Sequence, residues 1–286
     1  MKITASTEIY GVMGNPIRHS LSPILQNGWL EEAGYNAVYL AFEPKMEQFT
    51  GALNGLALSQ IKGLNVTAPF KNTAAELAVT KTEDVAIIGA ANTLRLSPIG
   101  YDAHNTDGKG LALDLDNRAE NWREQTKIIT ILGAGGAAKG ILSALIAAGA
   151  KEIRFVGRDD AKCREIVELA KSLAKSEAII IHSYGWEKMA QAIADADLII
   201  NATPIGQSHD NSLSLDFGKT AAKAIIYDMT YAQKESDLLK SAKAQNRMAL
   251  NGIGMLVGQG AYAFEIWFGQ LPDFTKGFER LINMDR

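Results

Sequence analysis

The chain has 286 residues, 47% of them apolar and 21% charged, with a net charge of -3. That length exceeds what one hydrophobic core normally serves and favours two domains. The small acidic excess, with no basic cluster, argues against a nucleic-acid or acidic-membrane partner. The single cysteine, Cys163, rules out an intrachain disulfide and fits a reducing compartment. The opening MKITASTEIYGV has no sustained apolar stretch, and GILSALIAAGA is well short of the roughly 20 residues that span a bilayer. A cytoplasmic protein is expected.

In chain order, strands are predicted over residues 9–13, 37–42 and 61–66, with helices over 23–33 and near 46–58. Ser22 followed by Pro23 reads as a capped helix start, Leu25, Trp29 and Leu30 as its buried stripe, and Gly34 as its stop. Two polar clusters follow, NVTAPFK at 65–71 and NTDG at 105–108. A second repetition begins at Ile128: strand 128–132, helix 137–148, strand 153–156, helix 161–175 and strand 178–182, extended by strands 198–201 and 224–227. Helices over 253–268 and 274–282 close the chain. The only candidate linkers are the helix-like 108–117 and a turn at 251–254. The pattern is α/β, with an N-terminal α/β domain ahead of a C-terminal Rossmann-like domain.

The second repetition carries GAGGAA at 133–138. Gly133 permits the tight turn after the strand, Gly135 lets backbone approach a pyrophosphate, and Ala138 stands where close helix packing needs Gly or Ala. Alone the motif is an ordinary glycine-rich turn, but strand, loop and helix follow in the order a dinucleotide site requires. Beyond the next strand, where NAD enzymes place an acid, stand Gly157 and Arg158. A guanidinium suits the 2'-phosphate of NADP, while Asp159 and Asp160 would either repel that phosphate or turn away. The alternative for Arg158 is a solvated residue at a helix start.

Lys71 and Asp107 form a candidate catalytic pair. Reduction of a ketone builds negative charge on oxygen, which a nearby lysine can stabilise and protonate, and a carboxylate beside it would hold that lysine in place. The alternatives are a surface lysine at a helix start and an N-capping aspartate. A lysine at a helix N-terminus opposes the macrodipole, which points to another reason for its presence.

The chain resembles the shikimate dehydrogenase family, including its shikimate/quinate dehydrogenase relatives, nearly end to end. The resemblance rests on GNPIRHSLSPILQN from Gly14, NVTAPFK from Asn65, GAANT from Gly89, NTDGKG from Asn105, GAGGAAKG from Gly133, NATPIG from Asn201, YDMTY from Tyr227 and GIGMLVGQGAYAFEIWFG from Gly252. It implies that Ser20 and Ser22 bind a substrate carboxylate, with Tyr231 near it. Asn65, Thr67, Asn92 and Gln259 would contact hydroxyls, and Lys71 and Asp107 would be the catalytic dyad. Gly133, Ala134, Gly135, Gly136, Ala137, Arg158 and Thr203 would bind the cofactor, with Gly252 and Met255 beside its nicotinamide. Two serines at a helix start with free N–H groups would make an anion site. Ser22 would also serve as the cap. His19 and His104 read as loop or packing residues without metal spacing, and Met255, Tyr262, Phe264 and Trp267 as helical packing.

The implied protein is a shikimate dehydrogenase that reversibly reduces 3-dehydroshikimate to shikimate with NADPH, NAD being possible, in aromatic amino-acid biosynthesis. It would be a monomer or homodimer, with residues 1–106 plus 252–286 as the substrate domain and 107–251 as the NADP-binding domain. Departures from the family pattern are Gln26 in place of histidine, GRD at 157–159 in place of NRT, Ala103, Gln207 and Gln233. Gln26 and the two aspartates motivate an alternative, a quinate/shikimate dehydrogenase using NAD. A second alternative is a relative that binds shikimate-like ligands without turnover.

Overall fold

The computed structural model describes residues 3–175, 178–206, 212–231 and 235–284; Gln207 and Gln233 lie outside them. The chain divides into two compact units, Met1–Gly110 with Leu256–Arg286, and Leu111–Met255.

The first unit begins with strand β1 (Glu8–Met13), helix α1 (Ser22–Glu32) and strand β2 (Ala37–Phe42). Gly34, at φ 70°, ends α1: Tyr35 N donates to Leu30 O at 3.0 Å, which closes a left-handed helix stop. The helix expected over 46–58 is two pieces, a 3-10 turn at Met46–Gln48 and α2 (Phe49–Leu58). Strand β3 (Gly63–Val66) starts later than expected, because Ile61 N bonds back to Leu56 O and pairing with β1 opens at Gly63. Then come α3 (Lys71–Leu77), β4 (Thr80–Lys81), α4 (Glu83–Ile88), β5 (Thr93–Ser97), β6 (Gly100–His104) and α5 (Asp107–Arg118). The sheet order is β2-β1-β3-β5-β6-β4, with β5 antiparallel to both neighbours. Its register sets Asn65 opposite Thr93, and Thr93 opposite His104. Three motifs far apart in sequence thus meet at one end of the sheet.

In the second unit α6 (Trp122–Gln125) precedes β7 (Ile128–Leu132), α7 (Gly136–Ala147), β8 (Glu152–Gly157), α8 (Asp160–Ala174) and β9 (Ile180–Gly185). Strand β9 lies two to three residues beyond the expected 178–182, since its register opens with Ile180 opposite Glu152. Then follow α9 (Met189–Ala192), β10 (Leu198–Asn201), β11 (Ile225–Asp228), α10 (Asp237–Ala244) and β12 (Met248–Asn251). All pairings are parallel, in the order β12-β11-β10-β7-β8-β9. This is the doubly wound order of dinucleotide-binding sheets, with its switch point between β7 and β10. The strands read as apolar runs because helices bury both faces. Ile131, Ile153, Phe155, Leu198 and Ile200 are all fully buried, each contributing about 1.5–3 kcal/mol.

Helices α11 (Ile253–Phe268) and α12 (Phe274–Ile282) complete the chain. Most of α11 returns to the first unit, where Trp267 Nε1 donates to Leu94 O at 3.0 Å and the indole fills the space a side chain at Gly63 would need. A Cβ at Gly110 would stand 2.4 Å from Gln259 N, and one at Gly258 2.4 Å from Gly110 O. Glycine at both positions therefore lets α5 and α11 touch backbone to backbone. The stretches expected as linkers, 108–117 and 251–254, are helix or the end of β12 leading into helix.

Candidate active site and dinucleotide loop

In the first unit Lys71 is the first residue of α3 and Asp107 the first of α5. Lys71 Nζ donates to Asp107 Oδ2 at 2.6 Å, with the lysine side chain 24% and the aspartate 9% exposed. Asp107 is therefore a helical residue paired with lysine rather than a cap. Its other oxygen, Oδ1, accepts from Asn92 Nδ2 at 2.8 Å, and its N–H donates to Asn105 Oδ1 at 3.0 Å. The carboxylate is thus fixed from both sides, and of the three lysine protons only one is spent on it. The others can meet a substrate oxygen.

Asn92 is buried and engaged at both ends. Its Nδ2 also donates to Thr106 Oγ1 at 3.0 Å and, more weakly, to Gln259 Oε1 at 3.5 Å, while its Oδ1 accepts from Thr106 N at 2.8 Å. Asn65 donates through Nδ2 to Thr93 Oγ1 at 3.0 Å and to Asn92 O at 3.1 Å. The half-buried Thr67 lays its methyl over Gly14, where a Cβ would stand 2.4 Å from it. Gln259 Nε2 donates to Leu256 O within its own helix. Lys71, Asp107, Asn65, Asn92 and Gln259 therefore belong to one connected polar cluster.

The helix start at the two serines differs from expectation. Leu21 occupies the cap position and no side chain caps α1. Ser22 N donates to Ser20 Oγ at 3.3 Å, Pro23 has no N–H, and Ile24 and Leu25 both donate to Leu21 O. The backbone donors expected to hold an anion are spent or missing, so the only donors left at this helix start are the serine hydroxyls. Gln26 is buried and donates to Gly260 O at 2.9 Å, tying α1 to α11. Ala103 is buried on β6 opposite Leu94. His104 has its Nε2 buried without a partner, and burial, followed by the Arg95 charge, lowers its pKa below the usual 6.5.

Sequence reasoning passed over Tyr39, Thr93 and Thr106. Tyr39 Oη donates to Asn65 Oδ1 at 2.7 Å, and Thr93 Oγ1 donates to Asn92 Oδ1 at 3.0 Å. Both threonines stand within quoted motifs, next to the asparagine or aspartate that drew attention. Tyr39 gave no signal beyond a polar tip on an inward position of a strand.

In the second unit the glycine loop follows β7 at the switch point. Gly133 adopts φ 109°, a region that side chains disfavour, and a Cβ there would crowd Thr203 Cγ2 at 3.1 Å and Ala202 O at 3.2 Å. Gly135 caps α7 in an extended conformation, and the first-turn N–H groups of Gly136, Ala137 and Ala138 have no intrahelical acceptor. Built Cβ atoms at Gly135 and Gly136 meet nothing within 4 Å. An open concavity of backbone donors at a helix N-terminus fits a pyrophosphate. Ala134 and Ala137 flank those donors, and Ala138 is fully buried beneath them. Thr203 turns its hydroxyl inward to Asn201 Oδ1 at 2.6 Å, so its part in the loop is to support Gly133.

At the end of β8 Arg158 is exposed. Asp159 turns away from it, its Oδ1 accepting from Ala161 N at 3.0 Å and Lys162 N at 3.1 Å as the cap of α8. Asp160 lies in the first helical turn. Gly252 is pressed on Met229, whose carbonyl oxygen would be 2.2 Å from a Cβ. Met255 is buried, and Tyr231 is half-buried. A further network was not foreseen: Tyr227 Oη donates to Asp114 Oδ2 at 2.5 Å, and Arg118 bridges Asp114 to Asn251 O at 2.8 Å. It anchors the turn that carries Gly252. Among the described residues no helix is long and apolar enough to cross a membrane, and no group of three or more His, Cys, Asp or Glu could hold a metal ion.

A doubly wound sheet with a glycine loop at its switch point, in a chain whose other unit carries a lysine–aspartate pair, defines a two-unit α/β protein of the dinucleotide-binding class. Three family models match it: the shikimate dehydrogenase substrate binding domain over residues 12–94, shikimate/quinate 5-dehydrogenase over 116–215, and the shikimate 5'-dehydrogenase C-terminal domain over 252–276. A relative from Dinoroseobacter shibae, named shikimate dehydrogenase (NADP(+)), is 37% identical over 93% of this chain and 94% of its own. The crystal structure of shikimate dehydrogenase from Aquifex aeolicus superposes with a TM-score of 0.87 at 31% identity, covering 99% of this chain and 100% of that one. Shikimate 5-dehydrogenase from Listeria monocytogenes, solved in complex with shikimate and NAD, gives 0.88 at 31% identity, covering 98% of each chain. The chain belongs to the shikimate dehydrogenase family.

Proposed function

We propose that this protein is an NADP-dependent shikimate dehydrogenase, interconverting shikimate and 3-dehydroshikimate in aromatic amino-acid biosynthesis. The observation that carries the reading is the Lys71–Asp107 pair at 2.6 Å, its carboxylate held by Asn92. Lys71 delivers a proton to the substrate oxygen as negative charge builds there and removes it in reverse, while Asp107 keeps the lysine in place. Ser20 and Ser22 take the carboxylate through their hydroxyls, with Tyr231 assigned to the same group. Asn65, Thr67, Asn92 and Gln259 take the ring hydroxyls.

The cofactor, when bound, would supply the hydride as NADPH in reduction and accept it as NADP+ in the reverse direction. Gly133, Ala134, Gly135, Gly136 and Ala137 would hold its pyrophosphate and Arg158 its 2'-phosphate, with Thr203 behind the loop and Gly252 and Met255 at the nicotinamide. The domain of residues 1–106 plus 252–286 serves the substrate and that of 107–251 the cofactor. The protein works in the cytoplasm as a monomer or homodimer. The alternative of a quinate reaction with NAD draws on Gln26, which donates to Gly260 O, and on Asp159, whose Oδ1 caps its own helix.

The test follows the near-ultraviolet absorbance of reduced nicotinamide, crossing shikimate and quinate against NADP and NAD. Fast turnover confined to shikimate with NADP is expected. Turnover of quinate or a preference for NAD would overturn the specificity, and no turnover with any pair would leave a ligand-binding relative. With Arg158→Ala the NADP KM rises about 10-fold or more, the scale of a lost charge-assisted hydrogen bond, and the NAD KM stays put. An unchanged NADP KM would remove Arg158 from the cofactor site.

A further inference from the structure

Tyr39 lies on β2, is 1% exposed, and has its backbone clasped by one side chain from α1: its N–H donates to Asn27 Oδ1 and its carbonyl accepts from Asn27 Nδ2, both at 2.9 Å. The phenol donates to Asn65 Oδ1 at 2.7 Å. A phenol has one proton. Here it is committed to Asn65, a residue assigned to the substrate hydroxyls. Burial pushes the Tyr39 pKa well above the usual 10, so the group stays a neutral donor.

We propose that Tyr39 is a positioning residue for substrate, setting the Asn65 amide through its phenol. The inference rests on the shikimate reading above. Because Tyr39 holds Oδ1, and Thr93 Oγ1 and Asn92 O take the two Nδ2 protons, Asn65 has a fixed amide orientation. The amide then presents only the second lone pair of Oδ1, which selects a hydroxyl that donates. Tyr39 touches no substrate atom and acts through Asn65.

Tyr39→Phe keeps the ring and its packing against Trp267, whose centroid lies 6.1 Å away, and removes only the hydroxyl. The expected result is a shikimate KM raised about 10-fold, the scale of one lost hydrogen bond. The NADP KM and the thermal midpoint should hardly move, and kcat should stay within about 3-fold. In an Asn65→Ala background the same change should add less than about 2-fold, its main partner being gone. An unchanged shikimate KM would overturn the inference, as would a full effect on top of Asn65→Ala. A uniform loss of stability and of every kinetic constant would assign Tyr39 to packing alone and overturn it equally. If the unaltered protein does not turn over shikimate with NADP, the functional reading falls first and takes this inference with it.

Discussion

Replacing Lys71 with alanine removes the group that meets the developing charge on the substrate oxygen. Its nitrogen sits 2.6 Å from Asp107 Oδ2, and the carboxylate is only 9% exposed, so the pair works where water is scarce. Coulomb's law gives about 5.5 kcal/mol for a full charge ~3 Å from the lysine at an effective dielectric near 20. A charge about half developed at the transition state halves that to roughly 2.7 kcal/mol, or about 100-fold in rate. Loss of the proton donor acts in the same direction, with a usual scale of about 100-fold to 10,000-fold. We therefore expect Lys71→Ala to lower kcat for shikimate oxidation by at least about 100-fold, read from the initial rate of NADPH appearance. The fold should lose little, on the order of 1 kcal/mol, because Asp107 keeps its bond to Asn92 at 2.8 Å. A folded variant with kcat within about 3-fold of the unaltered protein would take Lys71 out of the mechanism.

Two further outcomes follow from packing and titration. Gly252→Ala would set a methyl 2.2 Å from Met229 O, where backbone must move, and should destabilise by about 1–3 kcal/mol in urea unfolding; an unmoved midpoint would refute the close approach. His104, whose pKa is lowered by burial and then by Arg95, binds its proton more weakly folded than unfolded. Between its ordinary pKa near 6.5 and its lower folded value the unfolded chain carries more protons, so stability should fall as pH drops through that window. Asp102 and Asp84 oppose the shift without reversing it. Unfolding midpoints measured from neutral to mildly acid pH should show this fall, and His104→Gln should flatten it; a midpoint that rises on acidification would contradict the sign.

The second unit was the more legible in the sequence. Its parallel strands are buried on both faces, so IITIL, LIIN and IIYD announce themselves as apolar runs, and GAGGAA fixes where the first turns into a helix. The hairpin β5–β6 gave no such signal, since TLRLS and GYDAH mix apolar positions with Arg95, Asp102 and exposed turn residues. Motifs singled out Lys71, Asp107, Asn65 and Asn92, and the structure joins them in one polar cluster. What sequence could not give was the register that sets Asn65 against Thr93, and hence the partners that orient each side chain. At α1 only the argument from free helix N–H groups fell short, for a local reason: it ignored the missing donor at Pro23 and the use of Leu21 O by Ile24 and Leu25.

The return of α11 to the first unit bears on the order in which the protein matures during synthesis. Residues 1–110 leave the ribosome first, yet the space beside Gly63, the carbonyl of Leu94, the amide of Gln26 and the edge of Trp29 meet their partners in residues 256–268. The intervening stretch 111–255 is contiguous and carries its own cores. At about 5–20 residues per second, roughly 7 to 30 seconds separate the two halves of the first unit. The part translated second can therefore finish folding before the part translated first. Until α11 emerges, Tyr10, Trp29 and Tyr35 lack Phe264, Trp267 and Phe268, the rings that cover them. In the nascent chain that aromatic surface is where chaperone binding or misassociation would concentrate.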